Sequence, residues 1–365
     1  MMSTGVYIHI PFCVKKCNYC DFASFVRKDF ESYFDCLEKE IKMYSDYLKP
    51  RKVDTIFIGG GTPSFVNHKY IGRILKQFDF NSSCEVTIEV NPKTVDNEKI
   101  KAYKEYGINR MSIGLQSACD NELKVLGRAH NYDDFLHTFD IVRKNGFDNI
   151  NVDVMFGIPE QTLESYSYTL NEINRISPEH VSAYSLIIEE GTPFYSMKLN
   201  LPDEETEREM FNMTSEKLSN HKRYEISNYA KPGFECRHNL KYWKMQNFIG
   251  FGVNAYSYVD TVRFSNIDTL DDYIKSVNSG NKPVSEEIPE DNGELFKDAV
   301  ITGLRLCEGI DTEEIAASYG VNLFREKEAK IREYISMGYM TFNGKRLAFT
   351  QKGFSISNYI LSELI

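Results

Sequence analysis

The chain has 365 residues, with 43 Lys and Arg against 53 Asp and Glu, a formal net charge of −10 and a pI of about 5.4. The length predicts one large domain plus a smaller one. The acidic balance argues against a nucleic-acid groove, which needs concentrated Lys and Arg. No run of about eighteen apolar residues is available to span a bilayer. No basic and then apolar leader precedes the first strand pattern, and the eight cysteines form no paired framework, so a reducing cytoplasm is expected.

In chain order, short apolar or β-branched runs alternate with amphipathic stretches. Strands are predicted at 6–10, 53–58, 85–90, 110–115, 149–155 and 180–186. Helices are predicted at 30–47, 69–78, 96–106, 132–145 and 163–175, with a further one at 203–219. Six β/α units in a row predict an α/β fold, a partial (β/α)6 barrel of TIM type, with its chemistry at the C-terminal strand ends. This barrel is expected over 1–222, and an irregular β-rich segment over 223–290. A helical module is expected over 291–365: helices at 294–307, 312–318 and 323–337, strands at 339–342 and 346–349, then a last helix from 350. Its pattern resembles a winged helix. Its even charge favours packing or partner docking over DNA binding.

The segment Tyr7-Ile8-His9-Ile10-Pro11-Phe12-Cys13-Val14-Lys15-Lys16-Cys17-Asn18-Tyr19-Cys20 trails the first strand with three cysteines at CxxxCxxC spacing. Three thiolates this close can hold three corners of one iron–sulfur cube, leaving the fourth iron without a ligand from the loop. An open metal position is where a small molecule binds. A structural zinc site would want a fourth Cys or His nearby, and a disulfide an even partner; both are weaker readings. Gly59-Gly60-Gly61-Thr62-Pro63 follows the second strand, and such glycines make a tight turn or let backbone approach a ligand closely. Glu89, Gln116 and Asp153 end the next three strands, and Arg128 lies in the turn 126–130. Each alone reads as a helix cap or a paired neighbour.

Taken together, segment 7–22 and these strand ends resemble the radical S-adenosylmethionine superfamily, in the family of oxygen-independent coproporphyrinogen III oxidases. The likeness runs over nearly the whole chain. It implies a 4Fe–4S cluster on Cys13, Cys17 and Cys20, its open iron chelated by the amino and carboxylate groups of S-adenosylmethionine. One electron from a donor, passed through the cluster, would then cleave the sulfonium to methionine and a 5′-deoxyadenosyl radical. The resemblance also implies nucleotide contacts from Tyr7, Gly60, Gly61, Thr62, Glu89, Gln116, Arg128 and Asp153. His9 and His130 read as structural.

Two features select a branch. The coproporphyrinogen enzymes carry a further cysteine two residues beyond the third ligand, where this chain reads Cys20-Asp21-Phe22. The segment Cys236-Arg237-His238-Asn239-Leu240-Lys241-Tyr242-Trp243 contains HNxxYW. Both resemble the haem-chaperone (HemW) branch. That implies haem contacts from His238, Asn239, Tyr242 and Trp243, with His238 a candidate axial ligand; imidazole and flat aromatic faces suit a porphyrin. The expected function is to bind haem and pass it to acceptor haemoproteins, with a homodimer as a candidate assembly. Whether the radical apparatus runs a reaction is left open. The alternative is an oxidative decarboxylase of coproporphyrinogen III, which the absent cysteine disfavours, and a tRNA modifier is disfavoured by the acidic charge. Relatives commonly end a later motif in Gly-Ala-His-Ser, where this chain has Asn254 and Tyr256. Cys36 and Cys307 fit buried helix faces, Cys84 and Cys119 are scattered, and Cys236 is a candidate thiolate ligand.

Overall fold

The structure is a computed structural model, described over residues 3–365. Six parallel strands stand side by side in chain order: β1 (Ser3–Ile10), β2 (Lys52–Gly60), β3 (Glu85–Val90), β4 (Arg110–Gln116), β5 (Ile150–Phe156) and β6 (His180–Ser185). Their alternate residues Val6, Ile8, Ile56, Ile58, Val86, Ile88, Ile113, Val152 and Val181 are buried and pack outward against helices. The opposite residues, among them Glu89, Ser112, Asp153 and Tyr184, line one cavity, so the sheet curls into a partial barrel. Crossover helices Phe30–Met43, His68–Leu75, Asn97–Glu105, Tyr132–Lys144 and Leu163–Ile176 follow the first five strands, and Glu204–Lys217 follows β6. Asn67, Asp96, Asn131, Thr162 and Asp203 each accept a backbone N–H at a helix start, which satisfies donors the helix itself cannot. The pattern expected to be one helix over 30–47 breaks at Tyr44, whose ring packs on Phe251 at 5.6 Å.

The barrel does not close. Beside β6 the sheet ends in β8 (Asn228–Ala230) and β7 (Lys222–Arg223), both antiparallel additions. Beside β1 it continues through β9 (Phe248–Phe251), parallel to β1, and then β10 (Tyr256–Val259), β11 (Val262–Asn266) and β12 (Val284–Pro289), giving twelve strands. The strands of 223–290 therefore join the barrel sheet at both edges, and Ile249, Phe251 and Tyr273 belong to its core. Between the two edges the helix Arg237–Trp243 passes under the barrel. Lys241 Nζ reaches Asp54 at 2.9 Å and Arg237 Nη1 donates to the Ser83 carbonyl at 2.8 Å, both at the starts of strands. This helix is the barrel floor.

Residues beyond 291 have their own core, with Val300, Leu304, Ile331, Leu347 and Ile360 buried. Three short strands, β13 (Ile310–Asp311), β14 (Met340–Phe342) and β15 (Arg346–Phe349), pair in the order β13-β15-β14. Arg223 lies over Phe354 at 4.3 Å and Gln351 Nε2 donates to Asn212 Oδ1 at 3.1 Å, fastening this part to the barrel.

Candidate cluster and nucleotide site

The cysteine loop leaves β1 at its C-terminal end and is rooted by Phe12, whose ring meets Phe30 and Tyr33 edge-on at 4.8 and 5.3 Å. Cys13 N donates to Phe25 O at 3.1 Å and Phe25 N to Pro11 O at 2.6 Å, zipping the loop base. Asn18 N donates to Leu126 O at 3.0 Å and Phe194 N to Asn18 O at 2.9 Å, pinning the far side. All three thiols are free, Cys13 buried and Cys17 and Cys20 half-buried. Cys13 Sγ lies 3.4 Å from Thr62 Oγ1, and Cys17 Sγ accepts from Arg128 Nη1 at 3.7 Å. Burial raises the Cys13 thiol and pushes Cys20 up to about 11. Among the described residues no three Cys, His, Asp or Glu converge as ligands of a single ion would. The donor set is three thiols facing one cavity beside a fixed cation, which suits an anionic cluster better than a lone metal ion.

Arg128 is held rigidly: Nη2 donates to Asn91 Oδ1 at 2.6 Å and to Gly114 O at 2.9 Å. Gly60 has φ +110°, and a Cβ built there would stand 2.6 Å from the His9 ring. A Cβ on Gly61 would stand 2.9 Å from Phe12 O and 3.0 Å from Cys13 Sγ, so a side chain there would occupy the cradle itself. Gly60 N donates to Glu89 Oε2 at 3.1 Å. Burial, and then the charge of Asp153, push the Glu89 carboxyl up to about 8. Asp153, also raised by burial, accepts from Asn151 Nδ2 at 2.7 Å and Ser112 Oγ at 3.4 Å. Gln116 adopts φ +73°, a strained conformation for a residue with a side chain, and its Oε1 accepts from Tyr184 OH at 2.8 Å.

Ten of the residues expected to hold the cluster and nucleotide line this one cavity of about 520 Å³: Cys13, Cys17, Cys20, Gly60, Gly61, Thr62, Glu89, Gln116, Arg128 and Asp153. Tyr7 stands just beside it, its OH 3.1 Å from His9 Nδ1 and its ring stacked near Phe57. His9 and His130 are buried and bonded to the Ala23 and Leu115 carbonyls, and burial pushes them down to about 4 and about 3. Sequence reasoning missed Ser112, Asn151 and Arg110, which also face the cavity. The available signal was polar residues recurring at every second position of otherwise apolar strands.

The HNxxYW residues do not form one surface. His238 is fully buried on the floor helix, its Nδ1 2.8 Å from Thr55 Oγ1 and its Nε2 2.8 Å from Tyr242 OH. It stacks on Phe57 at 5.4 Å, and burial pushes its imidazole down to about 3. Both ring nitrogens of His238 are thus engaged inside the chain. Asn239 lines the cavity from below, Tyr242 meets Phe248 edge-on at 4.6 Å, and Trp243 is half-buried. Cys236 is also fully buried, its thiol pushed up to about 12, so it offers no outward thiolate. Tyr256 is exposed and Asn254 turns with φ +54° in the loop between β9 and β10.

The curled parallel sheet and its three-cysteine loop define a class, and comparison with known proteins agrees. The Radical SAM superfamily pattern matches residues 7–173, and that of the HemN C-terminal domain residues 291–356. The chain is 32% identical over 376 residues to the heme chaperone HemW of Bacillus subtilis, covering 99% of both chains. To the heme chaperone HemW of Buchnera aphidicola subsp. Schizaphis graminum it is 35% identical over 373 residues, covering 98% of this chain and 97% of the relative. Among solved structures it resembles coproporphyrinogen III oxidase (HemN) from Escherichia coli, with a TM-score of 0.85 and 22% identity, over 100% of this chain and 90% of that one. That last likeness concerns the fold alone. The chain belongs to the radical SAM superfamily and, within it, to the HemW family.

Proposed function

We propose that this protein is a haem chaperone of the HemW family that binds a 4Fe–4S cluster and S-adenosylmethionine in its barrel, receives haem and delivers it to acceptor haemoproteins in the cytoplasm. The observation that carries the reading is the convergence on one cavity of three free cysteines, six residues at or after strand ends, and Arg128 from the turn 126–130. Cys13, Cys17 and Cys20 would hold the cluster, and Gly60, Gly61, Thr62, Glu89, Gln116, Arg128 and Asp153 the nucleotide, with Tyr7 at its edge. When bound, the cluster supplies one-electron reduction at its open iron. Arg128 places a cation beside Cys17, and Gly60 and Gly61 keep the cradle clear of side chains. Segment 1–222 would carry this site, 223–290 close it, and 291–365 serve as the surface on which an acceptor docks.

Haem is cargo here. Trp243, half-buried at the end of the floor helix, is the contact we favour, rather than axial ligation by His238. It is the only tryptophan, so haem binding is expected to quench its fluorescence in step with a saturable Soret change. Absence of both signals would remove the chaperone reading. Anaerobically reconstituted protein is expected to hold about four iron and four sulfide per chain, and Cys13→Ser, Cys17→Ser or Cys20→Ser to lower that sharply. Unchanged iron in all three variants would remove the cluster.

A further inference from the structure

Arg110 begins β4 and is only 1% exposed, yet it is not paired. Its Nε has no hydrogen-bond partner, and among the described residues its guanidinium forms neither a hydrogen bond nor an ion pair. The head lines the same cavity as the cysteines, from the opposite end. At ~3.3 Å per residue along a parallel strand, Arg110 starts about 13 Å further down β4 than Gly114, whose carbonyl Arg128 holds beside the cysteine loop.

The carboxylates near it are committed elsewhere. Glu85 accepts the amides of Arg237 and His238, each at 3.0 Å, at the start of the floor helix. Asp153 accepts from Asn151 and Ser112. Glu89 bonds the Gly60 amide, and burial pushes its carboxyl up. Glu85 and Asp153 are felt by Arg110 only as charges at a distance. A buried cation without a direct partner is costly, and a planar guanidinium facing open space is the usual fork for a carboxylate.

We propose that Arg110 anchors a second ligand site on the barrel floor, which takes the carboxylate of a guest molecule lying below the cysteine loop. The site stands on the cavity and does not depend on haem being the cargo. Two sources would present the same group: a small organic acid, or the propionate arm of a tetrapyrrole.

Succinate, with its neutral isostere succinamide, is the primary probe on the full-length protein. Succinate at saturation is expected to raise the thermal midpoint by about 3 °C, and succinamide to leave it unmoved. Arg110→Gln should lose the succinate response, and Arg110→Lys, which keeps the charge but not the fork, should retain part of it. A purely structural cation predicts instead a midpoint lowered in Arg110→Gln by the same amount with or without succinate. Equal responses to succinate and succinamide in the unmodified protein overturn the proposal even where Arg110→Gln fails to fold. A second arm compares haem with its dimethyl ester. A roughly tenfold preference for the free acid that disappears in Arg110→Gln assigns the carboxylate to the tetrapyrrole. A succinate response with no such preference assigns it to a small acid. Loss of all haem binding with the succinate response intact would sink the chaperone reading and leave this site standing.

Discussion

Glu89 sits in the cavity wall with the Gly60 amide as its hydrogen-bond donor and a carboxyl pushed up to about 8 by burial and by Asp153. Its folded-state value lies above its unfolded one, so it stabilises the protein fully below about pH 4.5 and loses that stabilisation as pH rises through about 8. Glu89→Gln is expected to flatten this part of the stability curve, by on the order of 1 kcal/mol per pH unit in that window, as read by denaturant melts at pH 6 and pH 9. His238 makes a different prediction. Removing its ring leaves a void on the floor and strips Thr55 and Tyr242 of their partner. His238→Ala should cost about 2–4 kcal/mol of stability while leaving the Soret position of bound haem unchanged. A shifted Soret band in that variant would restore His238 as the ligand.

At the scale of elements, a buried carboxyl joins the first crossover helix to the strands added beside β1. Glu40 accepts from Gly252 N at 2.8 Å, Asn266 Nδ2 at 2.6 Å and Tyr273 OH at 2.6 Å. Burial pushes it up to about 7 against those three donors. Glu40→Leu would leave Gly252 N and Tyr273 OH unpaired in the core and Asn266 Nδ2 with only the Gly252 carbonyl, and should cost about 3 kcal/mol or more, measured by chemical denaturation. Gly252, with φ +103°, crosses Tyr33 and His9 so closely that a side chain has no room. The same strands seat β9 against β1, so loosening Glu40 should also raise amide exchange in β9 and β10 before it does so in β3 or β4.

Across the whole molecule, burial has set the titration of many groups in two opposing directions. Glu40, Glu89 and Glu225 are raised to about 7, 8 and 7. Such groups make stability fall as pH climbs from about 4.5 towards 8. His9, His130 and His238 are lowered to about 4, 3 and 3, and His180 and His221 are lowered too. Those groups make stability fall as pH drops below about 6.5. Between about pH 4.5 and 6.5 the two sets offset each other. The thermal midpoint of the metal-free protein is therefore expected to peak in that interval and decline on both sides. A midpoint still climbing from pH 7 to pH 9 would contradict this balance.

The sequence alone determined the six parallel strands and their helices, because a strand covered on its outer face must be apolar at alternate positions and five of the six crossover helices carry their own capping side chain. It also marked the cysteine loop and the glycine run, since CxxxCxxC and three glycines are local patterns that survive without tertiary context, whereas Glu89, Gln116, Arg128 and Asp153 stood out only through the family resemblance. Only the tertiary structure decided the rest. Ten scattered residues meet in one cavity because the sheet curls, which no local spacing encodes. The strands of 223–290 attach to both barrel edges because unpaired edges need partners, and their lengths do not say which edge. That His238 fastens the floor follows only from Thr55 and Tyr242 reaching its two nitrogens. Arg110 carries no local sign of burial, which only the folded barrel gives it.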